Sequence, residues 1–185
     1  MIKRVIDVVV AGLGLLLLFP IMVLLGIAIA LESPGNVIFR QIRVGLGTKP
    51  FTIFKFRSMV IGADQDGPYF TQAGDDRITA VGAFLRRTSL DELPQLLNIV
   101  LGDMSLVGPR PDVPAQEPTY SPDQWKERHS VRPGITGLAQ STLRSQATPT
   151  DRLELDLRYI RDRSIWLDLK IIYCTIIQIV KIGSY

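Results

Sequence analysis

The sequence predicts a mainly α protein with a small β-hairpin, an α+β chain. It is expected to be a monotopic membrane protein with an N-terminal re-entrant helix-break-helix and interfacial helices. Three observations carry this expectation. Residues 8–31, VVVAGLGLLLLFPIMVLLGIAIAL, are 24 consecutive residues without a charge, with Pro20 at their middle. Residues 51–59, FTIFKFRSM, alternate as a strand does. Leu90, Leu93, Leu96, Leu97, Val100 and Leu101 then recur at helical spacing, with Gly102 as a stop.

Length and composition set the outer bounds. The 185 residues fit one compact domain with an appended anchor. At 46% hydrophobic the chain is apolar for a soluble domain, yet too polar for several membrane spans. Its net charge of +3 is concentrated in basic clusters at 40–57, 77–87, 126–132 and 158–163. These suit an anionic partner, phosphate or lipid headgroup, without choosing between them. One cysteine, Cys174, excludes a disulfide framework or a cysteine-rich metal site. One histidine, His129, argues against a zinc site or catalytic triad built on histidine. A metal here would be held by carboxylates, which favours Mg²⁺ or Mn²⁺ over Zn²⁺.

The first element is the apolar segment. A straight helix over residues 8–31 would reach about 36 Å, enough for a hydrocarbon core of about 30 Å, so a single span is one reading. Pro20 argues for a break, because its ring removes a backbone N–H and clashes with the carbonyl of Leu16. Charge argues the same way. Lys3 and Arg4 precede the segment, and Arg40, Arg43, Lys49, Lys55 and Arg57 follow it, so both flanks carry the mark of the cytoplasmic side. A re-entrant segment over residues 1–35, broken at Pro20, satisfies both, leaving 36–185 as the domain on the cytoplasmic face. A cleaved signal peptide has a cue in Ala28-Ile29-Ala30, but the apolar run is longer than a typical signal core.

A hairpin is expected around residues 37–58. In its second strand Phe51, Ile53, Lys55 and Arg57 fall on one side. Two cations side by side suit a phosphate, and equally a solvated face with buried stems. TSLDELPQLLN, residues 88–98, reads as a helix start in which Ser89 caps and Glu92 completes a capping box. In GDMSLVGPRP, residues 102–111, Pro109 and Pro111 leave Arg110 few backbone states, which suits forked recognition of a phosphate or carboxylate. RPGITG, residues 132–137, is a cation-bearing turn whose glycines either admit a ligand or serve the turn. The C-terminal SIWLDLKIIYCTIIQIVKIGSY is too short in its apolar part to cross a bilayer. It reads as an interfacial amphipathic helix with Trp166 and Tyr173 at the headgroups, or as a packed core helix.

Together, QIRVGLGTKPFTIFKFRSM, DDRITAVGAFLRRTSLDELPQLLNIVLGDMSLVGPRP and RPGITGLAQ resemble the bacterial sugar transferase family, over about Lys3 to Val180. These are the monotopic phosphoglycosyl transferases, and the chain looks like their minimal catalytic unit. The resemblance implies an enzyme of the bacterial inner membrane, facing the cytoplasm. It would transfer a sugar 1-phosphate from a UDP-sugar to undecaprenyl phosphate and release UMP, the first membrane step of glycan assembly. It also implies Asp91 as nucleophile, a covalent phosphosugar-aspartate intermediate and assistance by Mg²⁺, with Mn²⁺ as the alternative. Asp91 and Glu92 would meet the metal; Lys55, Arg57, Arg86 and Arg110 are the cations for the phosphates. Asp156, Asp168 and Arg132 are expected behind them.

The residues agree with this reading. A carboxylate on the first turn of a helix lies near free N–H groups and stays ionised at neutral pH. It can attack phosphorus without a histidine base. Glu92 either orients the metal or serves the helix cap. Inner-membrane lipid is an expected partner, nucleic acid is not, and the apolar anchor permits a homodimer. The chain departs from the family at the helix break, where Phe19-Pro20 stands for the frequent Ser-Pro. Two other readings compete: a transferase using CDP-activated lipid precursors, and a non-catalytic adaptor for anionic lipids. Segments 62–76, 112–128 and 141–150 are candidates for sugar specificity but carry no readable code.

Overall fold

The computed structural model describes residues 2–63, 75–143 and 148–182. The parts of the candidate specificity segments at 64–74 and 144–147 lie outside the described residues.

Helix α1 runs from Ile2 to Glu32, and Pro20 lies inside it without interrupting the helical assignment. The two separate segments expected on either side of Pro20 are thus one element of 31 residues, about 46 Å long at helical rise. One stripe of this helix faces the rest of the fold. Asp7 and Ala11 are buried; Gly14 lies against Leu96, Met22 and Leu25 pack under the domain, and Ile29 is buried again. With the half-buried Leu18 between Gly14 and Met22, a spacing of three and four residues continues through Pro20. The opposite face leaves Val9, Leu13, Leu16, Leu17, Phe19 and Leu24 exposed.

Polar contacts fix both ends of α1 to the same body. At its start Lys3 pairs with Asp168 at 2.6 Å, and Asp7 accepts from the Ser105 hydroxyl at 2.8 Å and the Leu106 N–H at 3.2 Å. At its end Glu32 accepts from the Val81 N–H at 2.9 Å. There Arg57 also donates to the carbonyls of Ile29, Ser33 and Pro34 at 3.3, 2.6 and 2.9 Å. Ser33 and Pro34 follow the last residue of α1, and the Ile29 carbonyl also accepts from the Ser33 N–H at 3.3 Å.

The expected hairpin forms from β1 (Ile38–Val44) and β2 (Pro50–Phe56), antiparallel, with Ile38 opposite Phe56 and Val44 opposite Pro50. Helix α2 (Ala80–Thr88) is capped by the Thr79 hydroxyl, and a 3₁₀ turn at Leu90–Glu92 leads into α3 (Gln95–Leu101). Gly102 ends α3 in the left-handed region at φ 105°, as its place in the sequence predicts. Asn98, fully buried, docks α3 onto β2: its carbonyl oxygen accepts from the Phe54 N–H at 3.0 Å and its amide donates to the Thr52 carbonyl at 2.7 Å.

A second, parallel pair was not expected: β3 (Ser105–Val107) with β4 (Gly134–Thr136). It settles the role of the RPGITG glycines. A Cβ on Gly134 would lie 2.1 Å from the Gly108 nitrogen, and one on Gly137 would lie 2.3 Å from the Gly108 carbonyl. They allow two backbones to approach each other. The remaining helices are α4 (Pro122–Arg128), α5 (Leu138–Leu143), α6 (Pro149–Asp162) and α7 (Ile165–Ile182). Helix α7 buries Ile171 against Val107 and Tyr159 and leaves Trp166, Tyr173 and Ile176 exposed.

Candidate active site

The dyad Asp91-Glu92 lies on the 3₁₀ turn between α2 and α3, and three local features put it there. Ser89 takes a left-handed conformation at φ 58°, closing α2 with its N–H on the Arg86 and Leu85 carbonyls. The next three residues make one tight turn. Pro94, which has no N–H to contribute, then opens α3. The capping box read from Ser89 and Glu92 does not form, since Ser89 makes no side-chain cap and the Glu92 carboxylate points elsewhere. Two cations, Lys55 and Arg110, attract that carboxylate more strongly than a backbone N–H does.

Glu92 Oε1 accepts from Lys55 Nζ at 2.7 Å and from Arg110 Nη2 at 2.9 Å. The Asn98 clamp on β2 brings Lys55 to it, and the proline-framed segment after β3 brings Arg110. Asp91 is buried, and its carboxylate makes no hydrogen bond or ion pair among the described residues. The adjacent acids are therefore in opposite states. Burial and the Glu92 charge raise Asp91 above the ordinary carboxylate value, against the pull of Lys55, Arg86 and Arg110. Burial would raise Glu92 too, but Arg110 and Lys55 outweigh it and bring it down to about 2. Burial lowers Lys55, which Glu92 partly opposes.

Asp91, Glu92, Lys55, Arg86 and Arg110 line one cavity of about 1480 Å³. Arg86 donates through Nε to the Ser58 hydroxyl at 2.8 Å, which steadies it at the rim. Arg57 also borders the cavity, but its guanidinium is engaged by the end of α1. Asp156 meets Arg128 in the interior at 2.8 Å. Asp168 lies under Lys3 and the Tyr159 hydroxyl, and Arg132 donates to the Gly102 carbonyl. None of these three lines the cavity. Sequence reasoning did not single out Ser58, Arg43 or Arg128. Arg43 donates to the Pro111 carbonyl at 3.0 Å and Arg128 to the Arg110 carbonyl at 2.9 Å. Each sits in a basic cluster, where a structural arginine looks like any solvated one.

Among the described residues no three of His, Cys, Asp and Glu group as a metal cage. The dyad offers two carboxylates, one of them already bridged to two cations. That donor set fits Mg²⁺, which is commonly held by one or two carboxylates and completed by substrate phosphates. Chemically, the cavity places an uncommitted carboxylate among three cations, an arrangement suited to nucleophilic attack on a phosphorus centre.

Comparison with known proteins gives a consistent result. The family model described as "Bacterial sugar transferase" matches residues 1–182. The UDP-glucose:undecaprenyl-phosphate glucose-1-phosphate transferase of Caulobacter vibrioides is 49% identical over 94% of this chain and 68% of its own length. The protein of the same name from Escherichia coli K12 is 46% identical over 96% of this chain. The UDP-N-acetylgalactosamine-undecaprenyl-phosphate N-acetylgalactosaminephosphotransferase of Aeromonas hydrophila is 43% identical over 95% of it. This chain spans 40% and 43% of the length of those last two relatives.

Proposed function

Because this chain belongs to the bacterial sugar transferase family, we propose that it transfers a sugar 1-phosphate from a UDP-sugar to undecaprenyl phosphate and releases UMP. The observation that carries this reading is the contrast within the dyad. Asp91 is buried and uncommitted, while Glu92 is pinned between Lys55 and Arg110 in the same cavity.

In this reading a carboxylate oxygen of Asp91 attacks the phosphorus that bears the sugar. The bond from that phosphorus to the UMP oxygen breaks, and UMP leaves with the electron pair. The product is a sugar phosphate joined to Asp91. An oxygen of undecaprenyl phosphate then attacks the same phosphorus, and the Asp91 carboxylate is released unchanged. Neither half needs a proton taken from the nucleophile, which accords with a site that has no histidine base. Lys55, Arg86 and Arg110 offset the repulsion between Asp91 and the diphosphate. Glu92 holds Lys55 and Arg110 in place. When bound with the substrate phosphates, Mg²⁺ would supply charge neutralisation, and Asp91 and Glu92 are the carboxylates that would hold it.

The membrane arrangement is part of the proposal. Helix α1 is long and apolar enough to cross a membrane. Its contacts at Lys3 and Asp7 and again at Ile29 and Glu32 support a re-entrant course with both ends on the cytoplasmic face of the inner membrane. The exposed Trp166 and Tyr173 of α7 are placed to rest in the headgroup layer. The product would start a glycan such as an exopolysaccharide.

The test uses the full chain in detergent or nanodiscs with UDP-glucose, UDP-N-acetylgalactosamine and other UDP-sugars, undecaprenyl phosphate and Mg²⁺. The expected result is UMP release with at least one UDP-sugar, lost on chelation and restored by Mg²⁺. Without lipid acceptor, intact mass should gain one sugar phosphate, and Asp91→Asn should gain none. No UMP with any UDP-sugar, or full activity in Asp91→Asn, overturns the reading.

A further inference from the structure

We propose that Arg128, a buried residue in the wall of the cavity, is the positioning residue that sets where Arg110 presents its guanidinium. This rests on the reading above, in which Arg110 meets the substrate phosphates.

The segment from Pro109 to Asp112 is held by its carbonyls, one after another, by four donors from three elements, β4, α4 and β1. The Pro109 carbonyl accepts from the Gly134 N–H at 2.9 Å, and that of Asp112 from the Val44 N–H at 2.9 Å. Between them the Arg110 carbonyl accepts from Arg128 Nη2 at 2.9 Å and the Pro111 carbonyl from Arg43 Nη1 at 3.0 Å. Pro109 and Pro111 already restrict the backbone on either side of Arg110. What remains free is the Arg110 side chain, 43% exposed, which reaches across to Glu92.

Of these four anchors, Arg128 alone acts on residue 110 itself, and it does so from a fully interior position, 2% exposed. Its three nitrogens are all occupied. Nε and Nη2 donate to Asp156 at 3.1 and 2.8 Å, Nη1 donates to Asp112, and Nη2 also reaches the Arg110 carbonyl. Two carboxylates already balance the charge of Arg128, so the contact with a main-chain carbonyl is a directional addition. The planar fork of arginine can meet three acceptors in different directions at once, whereas one lysine ammonium lacks that fixed geometry. Asp156 lies on α6 and Arg128 on α4, so the position of Arg110 is referred to the packing of these two helices against each other. Displacing a substrate-contacting group by about 1 Å costs roughly 10²-fold in rate. Arg128 matters on that scale.

The experiment is a double-mutant cycle on UMP release by the full chain, with melting temperature measured for every variant. Arg128→Lys keeps the buried charge and should lower kcat/KM by about 10- to 100-fold. In the Arg110→Ala background the same change should cause little further loss, while its effect on melting temperature is the same in both backgrounds. Asp156→Asn, which loosens Arg128 without removing it, should show a smaller loss that also disappears with Arg110→Ala, and it provides the comparison if Arg128→Lys does not fold. Equal losses in the two backgrounds would mean a purely structural role and overturn the proposal alone. Full activity in Arg110→Ala would overturn the reading of Arg110 itself, and the proposal with it.

Discussion

Lys55 Nζ lies 2.7 Å from Glu92 Oε1, an ion pair that joins strand β2 to the 3₁₀ turn carrying the dyad. With both side chains largely shielded from water, the pair engages the Glu92 carboxylate, while its neighbour Asp91 makes no ion pair among the described residues. Four predictions follow from this division and from the way α1 is held.

Asp91→Asn should abolish turnover, with a loss on the order of 10³-fold or more, as for other covalent nucleophiles. It should not cost stability. The pKa of Asp91 is raised in the folded state, so its charged form destabilises the fold at neutral pH, and the neutral isostere removes that penalty. Thermal melts should place the variant at or above the parent, by a margin that widens as pH rises from the ordinary carboxylate range toward neutrality. A clear drop in melting temperature contradicts this.

The acid limb of kcat/KM should belong to Asp91, because only the carboxylate attacks. That limb should lie above the ordinary aspartate value of about 3.9. The negative charge of Glu92 disfavours charge on Asp91, so Glu92→Gln should move the limb to lower pH while reducing the rate. Glu92 itself, held down to about 2, stays ionised across the measured range. An upward shift in Glu92→Gln would refute the coupling.

Arg57→Met should destabilise the fold by roughly 1.5–3 kcal/mol, the range for lost hydrogen bonds to a charged group. It removes a donor from the carbonyls of Ile29, Ser33 and Pro34. The KM for UDP-sugar in the folded fraction should stay near that of the parent. A large rise in KM at unchanged melting temperature would restore Arg57 to the phosphate site.

Single cysteines near Lys3 and Asn36, in a Cys174→Ser background, should both react with impermeant reagents from the cytoplasmic side only. This expectation rests on the polar contacts at the two ends of α1, both made to one body. Labelling of either position from the periplasmic side would favour a simple span.

Much of the fold was legible because it depends on short-range periodicity. The apolar run at 8–31 became most of α1, the hairpin expected at 37–58 formed at 38–56, and Gly102 ends α3 where its position predicts. Lys55, Arg86, Asp91, Glu92 and Arg110 are legible in the sequence as site candidates, and they share the cavity. Arg57 shows the limit. In an alternating pattern it is the equal of Lys55, but β2 ends at Phe56, and the chain turns Arg57 toward the carbonyls of α1. The β3–β4 pair escaped notice because each strand is three residues long and the partners are distant in the chain.

By itself the sequence determined the membrane-seeking segment, the mainly helical character, the family and the set of charged residues to consider, all of which depend on residue type and local spacing. Only the tertiary structure decided which charges meet. It withdrew Glu92 from a helix cap to the Lys55–Arg110 pair, and sent Arg57, Asp168 and Arg132 to other parts of the fold. It also put Arg128 behind Arg110. The physical reason is that these buried or half-buried charges, Asp91 excepted, go to a countercharge or carbonyl in space, whatever their separation along the chain. Helical and strand periodicity say which way a side chain leaves the backbone, but not what it finds there.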